Sequence, residues 1–460
     1  MSCDAKPLDR EPTCSYSDRV PMALPAAAPL AELFAPVPGS VFPFILDACD
    51  GSRPSFAGSS PTTVLIVDAS GNSVLYDHRG SHVVSTQPHT AIADFIEGSH
   101  STPRYQPPWL SEQTILPRTV GYLGYELAPF IEKRVSRAAT DPLSMPLAVL
   151  ATYPRVRVWQ PGVASCGEVI FDDEKPAQIQ ALGELSGSNW NSTGREKYQQ
   201  AFDRIKQSIG LGEIYQANLA RVQTLPVTAP ALEIMQRLRS VQPVPHGALF
   251  DYGGFQIISN SPETFLRVDG EHISVFPIKG TRAATGSNDR GNAQAQAELK
   301  SDAKEAAEHV MIVDLERNDL GRIAVVGSVA VRDFARLRSF ATVHHLESEV
   351  AARLRPDVGV YEILRATFPC GSITGAPKIR AMDIIAEVEG VTRGVYTGAL
   401  GCWNGGRQAD LAVAIRTAVA SAGRIHYWSG GGIVADSQAD REWDETCVKA
   451  QAFLRALEEI

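Results

Sequence analysis

Lys279 stands in the stretch Phe276–Arg282, FPIKGTR. Apolar residues Ile273, Val275, Phe276 and Ile278 lead up to it, and their spacing predicts a strand that Gly280-Thr281 ends. A lysine at the buried end of a strand is costly unless it is paired or neutral. Burial lowers the pKa of an amine, and a neutral amine is a nucleophile. Glu263, in NSPETF, precedes Lys279 by one strand and a turn. A hairpin-like return would join the two as acid/base and nucleophile. A surface lysine is the commoner outcome for this pattern, so the company that Lys279 keeps matters.

That company is rich in carboxylates. Glu305 and Glu308 lie three apart and share a helix face; Glu442 and Glu445 repeat the spacing near the C-terminus, and Lys449 extends the second face. Such pairs are usually solvated surface. Two pairs brought together would instead make a hard-oxygen site of the kind magnesium uses, with few carboxylates, several waters and an anionic substrate group. Ser429–Ser437 (SGGGIVADS) reads either as a tight turn or as a backbone that approaches a ligand closely. Gly371–Lys378 (GSITGAPK) is a second glycine-rich turn opening a helix, without Walker A spacing. His345 could polarise a leaving hydroxyl or be structural. Arg416 lies in an apolar stretch, Ala409–Val419, read as a strand; a guanidinium there needs an anion, either Asp410 or a substrate carboxylate.

Several elements must position these groups. Arg195–Ile209 has helical spacing, with Tyr198, Phe202, Ile205 and Ile209 on one side, and Glu213–Val222 reads as a strand. A long polar helix is expected over Asp289–Asn318, further helices over Val360–Phe368 and Ala376–Glu389, and a last one from about Gln438. Strands are expected at Thr62–Asp68, Asn72–Tyr76, Ala148–Trp159, Ala399–Trp403 and Arg424–Trp428. Strands with helices between them, without strict βαβ alternation, indicate α+β.

The sequence has 460 residues and a formal net charge of −9, which argues against nucleic-acid binding. Seven widely spaced cysteines, without C-x-x-C, argue for free thiols rather than disulfides or zinc. No apolar run is long enough for a membrane span or a signal-peptide core, so a cytoplasmic protein is expected.

Taken in order, EIYQANL, SPETF, PIKGT, E-x-x-E followed by VDLERND, HHLES, GSITGAPK, GVYTGALG, AIRT, and GGGIVADS followed by E-x-x-E-T resemble the chorismate-utilising enzymes from about Arg195 onward. The resemblance implies a composite fold of two large, mostly antiparallel sheets packed together with helices outside. It implies a disordered tail over 1–20, an N-terminal region over 21–190 and a chorismate-binding catalytic domain over 191–460. It makes Glu308 and Glu445 the magnesium ligands, supported by Glu305 and Glu442. Arg416, Tyr396 and the backbone at Gly430 and Gly432 would hold the enolpyruvyl carboxylate. Gly280, Thr281 and Ser372 would line the ring-carboxylate side, with His345 near the ring and Lys449 near the metal-bound carboxylate. Ser372 stands where many relatives carry threonine.

Two positions bear on the branch. Relatives that add water to the ring carry a lysine where this chain has Gln216, which cannot abstract a proton. Anthranilate synthases carry alanine where this chain has Lys279, the mark of the aminodeoxychorismate synthases. The resemblance therefore implies amination of chorismate through a covalent Lys279 intermediate, with Glu263 as acid. With the sequence ending at Ile460, ammonia is expected from a separate glutaminase subunit.

Overall fold

The computed structural model describes residues 32–35, 39–138, 140–187, 190–284, 289–339 and 343–458; the tail expected over 1–20 lies outside them. Among the described residues the strands form two sheets. The first, of ten strands, runs in the order Gly375–Ala376, Gln216–Pro226, Arg424–Ile433, Thr417–Ser421, Phe255–Ser261, His246–Asp251, Phe44–Asp47, Ser55–Gly58, Arg155–Trp159 and Gly167–Ile170. The second, of 12, runs from Ile278–Ala283 through Val343–Arg353, His272–Val275, Thr264–Asp269, Gln408–Val413, Ala399–Trp403, Thr119–Leu123, Ala148–Thr152 and Thr63–Val67 to Ser73–Asp77 and Gly80–Ser85; Ala330–Ser339 pairs beside Val343–Arg353. The ladders at the seams are antiparallel, as expected for α+β.

Both sheets cross the point near residue 190 where the sequence changes character. Phe44–Asp47 pairs with His246–Asp251 in the first sheet, and Thr119–Leu123 pairs with Ala399–Trp403 in the second. One apolar cluster lies between the sheets: Val120, Tyr122, Val149 and Leu400 of the second sheet pack with Val222, Phe250, Ile257 and Trp428 of the first. Burial of these continuous apolar runs is the main force joining the two layers.

Four elements differ from the sequence expectation in ways that matter for the site. The strand bearing Lys279 does not stop at Gly280; it continues to Ala283, and Gly280, at φ +69°, makes a bulge that shifts the register between Lys279 and Thr281. The expected helix over 289–318 is two, Asp289–Ser301 and Ala303–Gly321. Asp302 separates them, its Oδ1 accepting the Glu305 N–H at 3.2 Å as an N-cap while Arg282 holds Oδ2 at 2.7 Å. Ala409–Val419 is likewise two strands, Gln408–Val413 and Thr417–Ser421, which belong to different sheets. The glycine triplet lies inside the strand Arg424–Ile433 and not in a turn.

Candidate active site

Lys279 and Glu263 meet at one short segment, Gly371–Ile373. Lys279 Nζ donates to the Ser372 carbonyl oxygen at 3.4 Å, and the Ser372 hydroxyl donates to Glu263 Oε1 at 2.6 Å. Glu263 sits in the turn between Phe255–Ser261 and Thr264–Asp269 and is only 5% exposed. Burial pushes its pKa up to about 7, although the Ser372 hydroxyl and Lys279 pull the other way. A carboxylic acid protonated near neutrality, beside a half-buried lysine, is equipped for general acid work.

His345 faces this corner from the neighbouring strand, opposite Thr281 in the ladder; the Thr281 side chain lies outside the described residues. His345 Nδ1 lies 3.0 Å from the Gly280 carbonyl, which can only accept, so Nδ1 carries the hydrogen. Burial, then Arg416, lowers the pKa to about 4, so the ring is neutral above that and Nε2 offers a lone pair.

The carboxylates come from the helices Ala303–Gly321 and Ala439–Glu458. Glu305 stands over Gly280, where a Cβ would come 3.5 Å from Oε2. Glu442 and Glu445 stand over Gly431, where a Cβ would come within 3.4 and 3.6 Å of their oxygens. The pKa of Glu305 is raised by burial first, then by Asp302 and, across from the other helix, by Glu445. Glu305 and Glu445, one from each helix, are therefore near enough for their charges to oppose each other. Arg282 lies 3.7 Å from Glu305, and Lys449 bridges Glu445 at 2.7 Å and the Gly430 carbonyl at 2.8 Å. Glu308 is half-buried on the same helix as Glu305. Among the described residues no three His, Cys, Asp or Glu side chains form a ready-made metal cage. Carboxylates spread over two facing helices suit a hydrated magnesium ion better than a dehydrated, tightly caged one.

The glycine strand forms the floor. A Cβ on Gly430 would lie 2.7 Å from the Leu219 carbonyl and 2.9 Å from the Tyr396 hydroxyl, and one on Gly432 would lie 2.7 Å from the Gln216 amide. Gln216 is fully buried, and neither of its polar atoms has a hydrogen-bond partner among the described residues. Arg416 occupies the short link where the chain passes from one sheet to the other, at φ +51°. Its suggested partner, Asp410, instead pairs with Arg53. Arg416 Nη1 is buried with no hydrogen-bond partner among the described residues, and burial lowers the guanidinium pKa. A buried guanidinium nitrogen without an acceptor leaves room for an anion there.

A bracing network was not anticipated from the sequence. Arg393, 1% exposed, makes a two-pronged ion pair with Glu389 at 2.6 and 2.8 Å, and donates to the Asn218 carbonyl at 2.6 Å. Glu126 accepts the backbone N–H groups of Arg393 and Gly394 at 2.6 and 2.9 Å. Together they fix the turn that carries Tyr396, whose ring stacks on Trp428. The Glu389–Arg393 spacing of four on a helix end was the available signal.

A buried acid, a half-buried amine, carboxylates on two helices and an arginine with an unpartnered Nη1 lie between two sheets, the equipment of an enzyme. Comparison with known proteins gives that class its name. Residues 54–455 match the family described as chorismate binding enzyme, and the chain belongs to that family. It is 34% identical over 452 residues to anthranilate synthase component 1 of Pseudomonas putida, covering 90% of each chain. It is 36% identical over 388 residues to the protein of the same name from Pseudomonas aeruginosa, covering 77% of this chain and 78% of that one. Anthranilate synthase component I from Streptococcus pneumoniae superposes with a TM-score of 0.73 at 27% identity, over 97% of this chain and all of that one. The isochorismate synthase MenF of Escherichia coli, at 16% identity and TM-score 0.65 over 91% of this chain and 89% of that one, shares the fold. Among the described residues no helix is long and apolar enough to cross a membrane.

Proposed function

We propose that this chain aminates chorismate at ring position 4, giving 4-amino-4-deoxychorismate. The observation that carries the reading is Lys279 joined to the buried acid Glu263 through one residue, Ser372. Lys279, as free amine, adds at ring position 2; the double bonds shift and the position-4 hydroxyl leaves as water with the proton of Glu263. Ammonia then adds at position 4, the electron pairs shift back and Lys279 departs as the free amine; the new amino group keeps its proton as an ammonium, and Glu263 is left as the carboxylate. Arg416, Tyr396 and the backbone at Gly430 and Gly432 receive the enolpyruvyl carboxylate. Gly280, Thr281, Ser372 and Lys449 lie toward the ring carboxylate, and the lone pair of His345 lies near the ring. Glu308 and Glu445, backed by Glu305 and Glu442, would hold a magnesium ion, which supplies charge neutralisation for that carboxylate. Gln216, which cannot take up a proton, disfavours water as the incoming nucleophile. The relatives' designation as component 1 supports a second component, a glutaminase that delivers ammonia.

A second reading is favoured by those same names: anthranilate synthase component I, in which ammonia adds at position 2 and pyruvate is lost. Product mass after incubation with chorismate, magnesium and ammonium separates the two, because the first product keeps its pyruvyl group. On the first reading Lys279→Ala slows turnover by about a hundredfold or more. Wild-type rates of 4-amino-4-deoxychorismate formation in that variant would remove the covalent step.

A further inference from the structure

Behind Glu263 the structure holds a second buried carboxyl that the proposed chemistry does not use. Glu316, on the helix Ala303–Gly321, is fully buried. Its Oε1 accepts the Gly371 N–H at 3.0 Å and the Cys370 thiol at 3.5 Å, while its Oε2 has no hydrogen-bond partner among the described residues. Cys370 Sγ is in turn 3.2 Å from Ser372 Oγ, with either atom able to donate, and Ser372 Oγ is 2.6 Å from Glu263 Oε1. Every heavy atom needed for a continuous file of exchangeable protons is present.

We infer that Glu316 and Cys370 form the proton supply line to Glu263, through the Ser372 hydroxyl. The inference rests on the reading of Glu263 as the acid that protonates the leaving hydroxyl. Glu263 is only 5% exposed, and after giving its proton to the leaving hydroxyl it must regain one before the next cycle. In the refill, Ser372 passes its hydroxyl proton to Glu263 Oε1, the Cys370 thiol turns from Glu316 to Ser372 and passes its proton to Oγ, and Glu316 then passes its carboxyl proton to Cys370 Sγ. Each relay atom ends with as many protons as it began with, no oxidation state changes, and one proton has moved from Glu316 to Glu263. The charges of Asp319 and Lys378, which form an ion pair with side chains 6% and 14% exposed, act on Glu316 at the outer end of the file.

The surrounding charges suit this task. Burial first, then Asp319, raises Glu316 to about 7, with Lys378 opposing; Glu263, facing Lys279 and Glu347, also stands at about 7. Burial thus raises both carboxyls, so each is able to carry a proton. Burial, then Glu316 and Glu263, raises the Cys370 thiol well above its ordinary range, so it remains an S–H able to donate.

Three variants test the route, each assayed with chorismate, magnesium and ammonium across the pH range. Cys370→Ala breaks the file and Glu316→Gln removes its source; both lower kcat by about tenfold or more at unchanged KM and move the fall of kcat to lower pH. Cys370→Ser keeps an exchangeable proton in place and restores the rate. Wild-type kcat and pH profile in Cys370→Ala, or a Cys370→Ser variant as slow as Cys370→Ala, would overturn the route. A readout without turnover keeps this apart from the functional reading. Infrared spectroscopy identifies the protonated Glu263 carboxyl as the band lost in Glu263→Gln. Its exchange with deuterium should slow in Cys370→Ala and Glu316→Gln but not in Cys370→Ser. Full activity of Glu263→Gln would discard the acid role, whereas unaltered carboxyl exchange would discard the supply line.

Discussion

Glu263→Gln should make the protein more stable while making it inactive, and only above neutral pH. Folding moves the Glu263 carboxyl from an ordinary 4.5 to about 7, chiefly through burial. A raised folded pKa means that the native state binds the proton more tightly than the unfolded chain does. The contribution of that proton is fully present below about 4.5, is lost between 4.5 and about 7, and is gone above. At about 1.4 kcal/mol for each tenfold change in proton affinity, the charged carboxylate costs the fold about 3 kcal/mol at about pH 8.5. Glutamine has the same shape, can still accept from Ser372 and never ionises. Urea denaturation should therefore place Glu263→Gln about 3 kcal/mol above wild type at about pH 8.5, and within about 1 kcal/mol at about pH 5. Activity should fall by about a hundredfold or more at both. An advantage that is the same at both pH values would show that Glu263 is not held as a buried acid, and the mechanism would lose its proton donor.

Glu389→Ala strands the Arg393 charge in a 1% exposed site and leaves the Ala220 N–H without its acceptor, so it should cost about 3–5 kcal/mol in denaturant unfolding. Replacing both partners, as Glu389→Leu with Arg393→Met, should recover most of that loss. Gly430→Ala would put a methyl 2.7 Å from the Leu219 carbonyl and 2.9 Å from the Tyr396 hydroxyl; a destabilisation of about 1–3 kcal/mol and a raised KM for chorismate are expected from melting curves and steady-state rates. Chelation of divalent ions should abolish turnover and magnesium should restore it, whereas Glu445→Gln should raise the magnesium concentration needed for half-maximal rate by about tenfold or more.

Much of the site was legible because its signals are local. Glycine and proline punctuation placed Ser372 at a turn, and spacings of three put each glutamate pair on one face. The glycine triplet was legible as a close approach but not as a strand. A glycine inside a strand looks like one in a turn until the groups above it are known, here Tyr396, Gln216 and two glutamates. The single helix expected over 289–318 failed at Asp302, because capping by that carboxylate depends on Arg282 arriving from a distant strand. Glu316 sits within VDLERND, on a helix whose pattern gives it no special standing. No periodicity marks a helix residue as buried against a loop 55 positions away. The supply line and the Glu389–Arg393 brace are properties of burial, and burial of a charged residue is what sequence patterns report least well.

The break at Arg416 falls where the chain passes between the two sheets. Val413 ends a strand of one sheet and Thr417 begins a strand of the other, so the intervening residues lie in neither ladder. A residue inside a ladder has its side chain committed to one face. At the crossing, Arg416 is aimed by the link itself, at a positive φ that an arginine adopts only when its surroundings force it. The strain and the buried, unpartnered Nη1 both destabilise the empty fold. A substrate carboxylate on Arg416 would give Nη1 its partner, so on this reading substrate binding should protect the link Ala414–Arg416 from amide hydrogen exchange more than it protects the strands on either side. Equal protection of link and strands would place the carboxylate elsewhere, and Arg416 would then be a strained residue without a substrate role.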